Sequence, residues 1–372
     1  MGMKWDPYFL VKNAGFENFW KNFLAGKNLD LLFIMGLGFD PRMTSCLEKI
    51  MEIGGSGKRD VILLDIENLS DKYESYAKNN IEVIKKIIKG KGKINTQKLK
   101  VYKKSRNKLT RIGPRKASEV INDINDLIGY QNVILDISSM PRGIYFPLAA
   151  KILNLLEQGK HPMNFFLNVS EDAELDKHIQ KIGIDESAMF LPLFGGEFDL
   201  EDEVAGIERP KLWIPILGEN QAEELDRIYT LVKPDEICPI LPYPSNEPRR
   251  GDNLIMEYRS ILFDRWQVEP ANIIYADETN PFDLYRQLYK TIEHYNKALK
   301  PLGGCKVAVS ALSSKLLSVG ALLATYELYR IKGNSVGFVH IEGQDYEVNE
   351  EFLKKGKEYD LHTIWLNGEV YE

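Results

Sequence analysis

Two short loops in the N-terminal half carry residue types suited to binding an anion. Gly36, Gly38, Asp40 and Arg42 follow the apolar run Leu31–Met35, and Asp136, Ser138, Ser139 and Arg142 follow or end the run Asn132–Ile137. Glycine lets a backbone come close to a ligand. Arginine offers a planar fork for phosphate or carboxylate. Amides at the start of a following helix attract negative charge. The structural alternative is that Gly36 and Gly38 only make a turn, with Arg42 paired to Asp136.

A comparable set recurs in the C-terminal half: Glu219 and Asn220, Asp277 and Asn280, then Ser310, Ser313, Ser314 and Lys315. Ser-Ser-Lys at a helix start brings hydroxyls, amides and one cation together, or Ser313 simply caps the helix. The stretch Pro244 to Asp252 holds Arg249 and Arg250 on a path pre-set by two prolines. Both arginines are within reach of a second cleft; the alternative is a surface loop with Asp252 as helix cap.

Several chemistries find no support. Gly36-Leu37-Gly38 lacks the third glycine of a dinucleotide fingerprint. Gly54 to Lys58 resembles a phosphate loop, but Glu52 stands where the first glycine belongs, and a strand follows it instead of preceding it. No GxSxG, HExxH or kinase signature occurs. Cys46, Cys238 and Cys305 are far apart and the five histidines are isolated, so no metal site or disulfide scaffold is assigned. No cofactor is evident. An enzymatic reading would use Asp40, Asp136 or Asp277 as base or ligand to Mg2+ or Mn2+, with Arg42, Arg142 or Lys315 stabilising charge.

Residues 85–116 hold 14 Lys or Arg and no Asp or Glu, in a chain whose formal charge is -6. Such a stretch is a footprint for DNA, RNA or an acidic partner, or a solvated charged face. Tyr102 is its only aromatic residue, which argues against a base-stacking platform.

The elements that must position these loops follow from apolar runs. Strands are expected at Leu31–Met35, Asp60–Asp65, Val101–Tyr102, Asn132–Ile137 and Phe165–Val169, with helices between them at Ile81–Ile88, Ser118–Ile128 and Ile144–Leu156. The order then repeats: strands at Lys211–Leu217, Glu236–Leu241, Asn272–Tyr275, Lys306–Ser310 and, last, Ser335–His340. Continuous apolar strands alternating with helices imply parallel sheets covered on both faces. The expected fold is α/β, two tandem Rossmann-like units with mainly parallel sheets and helices on both faces. The first spans residues 1–200 with a basic insertion at about 85–116, and the second 209–372, with the boundary in Gly195 to Glu208. In such sheets ligands sit at the carboxyl ends of the strands, near a topological switch point.

The 372 residues, 44% apolar and 27% charged, exclude wholesale disorder. No apolar run reaches the ~18 residues of a membrane span, and Met1 to Phe16 does not read as a secretory signal. The expectation is a cytoplasmic protein without a membrane partner.

The layout resembles the CARF and SAVED group of ligand sensors, whose Rossmann-like units bind cyclic oligonucleotides in antiviral defence. The resemblance lies in the Gly-containing loop after the first strand (Gly36 to Arg42) and the Ser-rich loop after the fourth (Ser138 to Arg142, Ser313 to Lys315). Ser-Ser-Met-Pro-Arg stands where CARF proteins commonly carry Thr-Gly-Gly-Thr-Lys. The HEPN ribonuclease signature is absent. The resemblance implies a nucleotide- or oligonucleotide-sensing protein in a defence or signalling complex, binding through Gly36, Gly38, Arg42, Ser138, Ser139, Arg142, Asn220, Arg249, Arg250, Ser310, Ser313, Ser314 and Lys315, with a protein partner. The alternatives are the metal-dependent phosphodiester enzyme and a nucleic-acid-gripping scaffold subunit.

Overall fold

A computed structural model describes residues 2–67, 72–105, 108–159, 161–198, 208–353 and 358–371. In chain order the elements are β1 (Phe9–Lys12), α1 (Ala14–Leu24), β2 (Leu31–Leu37), α2 (Ser45–Ile53), β3 (Arg59–Ile66), α3 (Glu74–Ile88), β4 (Ile94–Leu99), β5 (Tyr102–Ser105), β6 (Lys108–Arg111), α4 (Gly113–Ser118), β7 (Asn132–Asp136), α5 (Arg142–Gly159), β8 (Asn164–Glu171), α6 (Ala173–His178), β9 (Ile179–Ile184) and β10 (Met189–Gly195). The chain continues through β11 (Lys211–Ile216), α7 (Ala222–Val232), β12 (Glu236–Ile237), β13 (Ile240–Pro242), α8 (Arg250–Glu257), β14 (Ile274–Ala276), α9 (Pro281–Ala298), β15 (Lys306–Ala311), α10 (Lys315–Tyr326), β16 (Val336–His340), β17 (Gly343–Val348), α11 (Glu350–Leu353) and β18 (Asp360–Asn367).

Two compact units result. The first contains Pro7–Gly183 and Gly343–Glu372, the second Met1–Asp6 and Ile184–Glu342. The first sheet has the order β4-β3-β2-β7-β8-β18-β1, parallel from β4 to β8 and closed by antiparallel β18. The second has the order β14-β13-β11-β15-β16-β10, parallel from β14 to β16 and closed by antiparallel β10. Each is therefore a Rossmann-like sheet in which the first parallel strand, β2 or β11, lies between the second and the fourth. The switch points fall between β2 and β7 and between β11 and β15.

The burial pattern explains why these runs became strands. Leu31, Phe33 and Met35 share a core with Phe16 and Trp20 of α1, Cys46, Leu47 and Ile50 of α2, and Ile84 and Ile88 of α3. The alternate residues Leu32 and Ile34 are equally buried, so helices cover both faces of the sheet. In the second unit Leu225, Ile228 and Val232 of α7 and Leu254 of α8 pack with Trp213, Ala308 and Val339. Each such side chain contributes roughly 1.5–3 kcal/mol by leaving water.

Several expectations need correction. The helix expected at Ser118–Ile128 does not form: α4 ends at Ser118, and only a short 3-10 turn spans Ile124–Asp126. Asp123 accepts from the Asn125 amide at 2.7 Å and Asp126 from the Asn122 amide at 2.8 Å, so side chains take up amides a helix would have used. The third strand of the first sheet is β4, not Val101–Tyr102; Tyr102 opens the β5–β6 hairpin. An edge strand buries little of itself, which is why Ile94–Leu99 reads as polar. The strand expected at Glu236–Leu241 is split into β12 and β13. Pro215 and Pro239 fall in the gap between the pairs Trp213–Ile237 and Ile216–Ile240, which keep one register, and neither has an N–H for the ladder.

The units also differ from the expected spans 1–200 and 209–372. β18, from the C-terminal end of the chain, pairs with β8 from Asp360 to Asn367 and belongs to the first unit. β10, expected in the first unit, closes the second sheet against β16. An outer parallel strand exposes a row of amides and carbonyls that needs a partner, and antiparallel pairing accepts one from any distance along the chain. Residues 199–207 of the expected boundary lie outside the described residues.

Candidate functional site

At the first switch point the loops after β2 and β7 meet. The Ser139 hydroxyl donates to the Gly36 carbonyl at 2.8 Å. A Cβ at Gly36 would lie 2.9 Å from Met140 Cγ, so any larger residue there would press on Met140. Asn80 of α3, which sequence reasoning missed, donates to the carbonyls of Gly38 at 2.9 Å and Asp40 at 3.3 Å. Gly36, Gly38 and Ser139 are thus brought together as expected.

Arg42 is not offered to a ligand. It is 2% exposed, its Nε and Nη2 donate to Asp40 at 3.0 and 2.7 Å, and its Nη1 lies 2.8 Å from Asp176. Burial works against its charge, but Asp40 and Asp176 outweigh it and hold its pKa above the ordinary value. Its partners are therefore Asp40 and Asp176, not Asp136. Asp136 is buried and accepts from the Ser138 amide at 2.9 Å, while Ser138 Oγ accepts from the Ser170 amide at 2.9 Å. Ser138 is fully buried, so it ties β7 to β8 instead of facing the cleft. Cys46 Sγ lies 3.3 Å from Ser170 Oγ, and burial, helped by Asp136, pushes its thiol pKa up, away from nucleophilic use. Arg142, half-buried, is the first residue of α5.

The second switch point repeats the plan. Gly218 follows β11, and a Cβ there would run into the Leu312 carbonyl and lie 3.0 Å from Ser313 Cα. Ser314 caps α10, accepting from the Leu317 amide at 3.3 Å, so the cap is Ser314 and not Ser313. Ser313 is buried beside Gly218, and Ser310 is buried with its hydroxyl accepting from Trp213 Nε1 at 3.0 Å. Ser310 therefore serves the core. Lys315, half-buried, is the first residue of α10.

Arg250 is likewise occupied. Its Nε and Nη2 donate to the two oxygens of Glu219 at 2.6 and 2.7 Å, and its Nη1 pairs with Glu278. Arg249 is exposed at the start of α8, and Asp252 lies in that helix's first turn, so it is not the cap. Asn220 has φ 57°, its amide donates to Glu257 at 2.8 Å, and the residue is exposed. Asp277 accepts from the Thr279 amide and hydroxyl at 2.8 and 3.0 Å, and Asn280 caps α9.

The three aspartates considered as bases thus each hold local structure: Asp40 pairs with Arg42, Asp136 with an amide, and Asp277 with Thr279. Among the described residues, no three His, Cys, Asp or Glu side chains gather as a metal site. Burial pushes the thiols of Cys238 and Cys305 up to about 11. At the rims lie Gly38, half-buried Ser139, Arg142, Ser314 and Lys315, with exposed Asn220 and Arg249; Arg142 and Lys315 also make contacts within the protein.

Among the described residues, no helix is long and apolar enough to cross a membrane. No family model matches the chain, and no curated protein matches it. Among solved structures, a protein of Pseudomonas aeruginosa UCBPP-PA14 named as a candidate universal stress protein is similar at 10% identity and TM-score 0.22, covering 84% of this chain and 92% of its own. A universal stress protein of Archaeoglobus fulgidus DSM 4304 is similar at 9% identity and TM-score 0.24, covering 83% of this chain and 94% of its own. Likeness this distant assigns no family; the α/β architecture stands on the strand order itself.

Proposed function

We propose that the protein is a binding module that holds a nucleotide or oligonucleotide by its phosphates at the carboxyl edges of its sheets. In this reading it is the sensing part of a prokaryotic signalling or defence complex in the cytoplasm, as the layout's resemblance to CARF and SAVED sensors implies.

The observation that carries the reading is a repetition. In each unit the helix after the fourth strand opens on a cation, Arg142 in α5 and Lys315 in α10, with no acidic residue in its first turn. A helix N-terminus bears roughly half a positive charge, so a cation there costs stability and an acid would supply it, each by ~0.3–1 kcal/mol. The same arrangement recurs at both switch points, and in each unit a helix N-terminus with a cation beside it is suited to an anion. The glycine and serine loops beside these helices admit the backbone contact such a ligand needs.

Titration calorimetry of the full chain against cyclic and linear nucleotides tests this. A ligand is expected whose affinity falls at least tenfold, about 1.4 kcal/mol, in Arg142→Ala or Lys315→Ala. Absence of binding across the panel by folded protein would overturn the reading. Turnover in Mg2+ or Mn2+ that disappears in Asp136→Asn would replace it with an enzymatic one.

A further inference from the structure

The basic stretch is untouched by that reading, and it gathers on one edge of the first sheet. β4 is the terminal strand, paired only with β3. Lys91 and Lys93 precede it, Lys98 lies within it and Lys100 follows it; Lys86 and Lys89 end α3 or follow it, and Lys103 and Lys104 lie on β5. All eight are exposed, and none is within ion-pair distance of a carboxylate among the described residues. Cations elsewhere on the surface are commonly paired, as Lys49 with Glu17, Lys72 with Glu347 and Arg265 with Asp226 show. Lysines on an edge strand also deter strand-to-strand aggregation, but one or two suffice for that, and here they continue onto a helix end and a hairpin.

We propose that this edge docks the phosphate backbone of a nucleic acid without reading its sequence. The run from Lys91 to Lys100, at about 3.3 Å per residue, covers up to roughly 30 Å, the length of about nine base pairs. Cations spread over such a distance match a regularly charged polyanion. An acidic protein partner would need apolar anchors, and the only large apolar side chain exposed among the described residues of this stretch is Leu109. Base stacking is not provided for either. Tyr102 is half-buried, with the Arg111 guanidinium 4.6 Å from its ring centre and hydrogen-bonded to its hydroxyl. What remains is a polar, strongly positive surface of the kind that grips phosphates.

The test is fluorescence anisotropy of the full chain with a labelled 20-base-pair DNA duplex between 50 and 200 mM KCl. Binding is expected at low salt, with a log–log slope of about -0.9 for each phosphate engaged. Because all four side chains are exposed, Lys91, Lys93, Lys98 and Lys100 together changed to Gln are expected to leave the fold intact by circular dichroism. The slope should flatten by about 3.6 and the affinity should drop at least tenfold. Lys103→Gln with Lys104→Gln should give a smaller loss, and Lys297→Gln with Lys300→Gln on the second unit none. Sequence-scrambled duplexes should bind alike, and a mononucleotide should not compete, which separates this surface from the sheet rims. Absence of binding at 50 mM KCl, a quadruple variant that binds like the parent, or a poly-glutamate peptide that competes as well as unlabelled DNA would each overturn the proposal.

Discussion

The Ser139 hydroxyl donates to the Gly36 carbonyl at 2.8 Å, tying the loop after the fourth strand of the first sheet to the end of its first strand. This link closes the two loops against each other at the switch point. In the second unit the same closure is made by backbone, where Gly218 meets Leu312.

That difference ranks two substitutions. In Gly36→Ala the new methyl presses on Met140 Cγ at 2.9 Å, a side chain that can shift, so a loss of about 1 kcal/mol is expected. In Gly218→Ala it meets the Leu312 carbonyl, which cannot swing aside, so the loss should reach about 3 kcal/mol. Urea denaturation of both variants checks the order; equal losses would contradict it.

The first unit depends on a strand remote in sequence. A chain ending at residue 342 lacks β18, and with it the Thr363 hydroxyl that accepts from Trp20 Nε1 at 2.9 Å. Limited proteolysis is expected to degrade residues 7–183 rapidly while residues 184–342 resist. Equal resistance of both would show that β18 is dispensable.

His362 on β18 gives a pH dependence. Burial is the main cause that holds its pKa below the ordinary 6.5, and the hydrogen bond of its Nδ1 with the Asp360 carbonyl only partly opposes this. The unfolded chain takes up a proton near pH 6.5 while the folded one resists it. The stability from neutral His362 is therefore full above pH 6.5 and is lost as the pH falls below it. Melting temperature should decline less between pH 7.5 and 5.5 in His362→Gln than in the parent. An unchanged decline would assign the effect to other groups.

A buried carboxylate anchors the N-terminal segment in the second unit. Glu327 is 1% exposed and accepts from the Lys4 amide at 3.1 and 3.0 Å and from the Tyr285 hydroxyl. Tyr285→Phe removes a donor from a buried charge, and a loss of about 1.5–3 kcal/mol is expected. Glu327→Gln with Tyr285→Phe should lose less than the sum of the single changes, because the pair interacts directly. A double-mutant cycle in urea measures this; strict additivity would show the hydrogen bond contributes nothing.

By itself the sequence determined the parallel strands and the loops that end them. Runs such as Leu31–Met35 and Asn132–Ile137 are buried on both faces, and that demand is written in consecutive residues. It also placed Gly36 beside Ser139 at one rim, since successive strands of such a sheet end on the same side. Tertiary structure alone decided which charges remain at that rim. Arg42 reads as a ligand arm until Asp176, more than a hundred residues on, is found beside it. Arg250 reads the same way until Glu219 and Glu278 meet it from two other loops. Tertiary structure also assigned β18 to β8 and β10 to β16. Burial periodicity is a local property of the chain, whereas ion pairing and edge-strand pairing select partners by distance in space, and no short-range pattern encodes that.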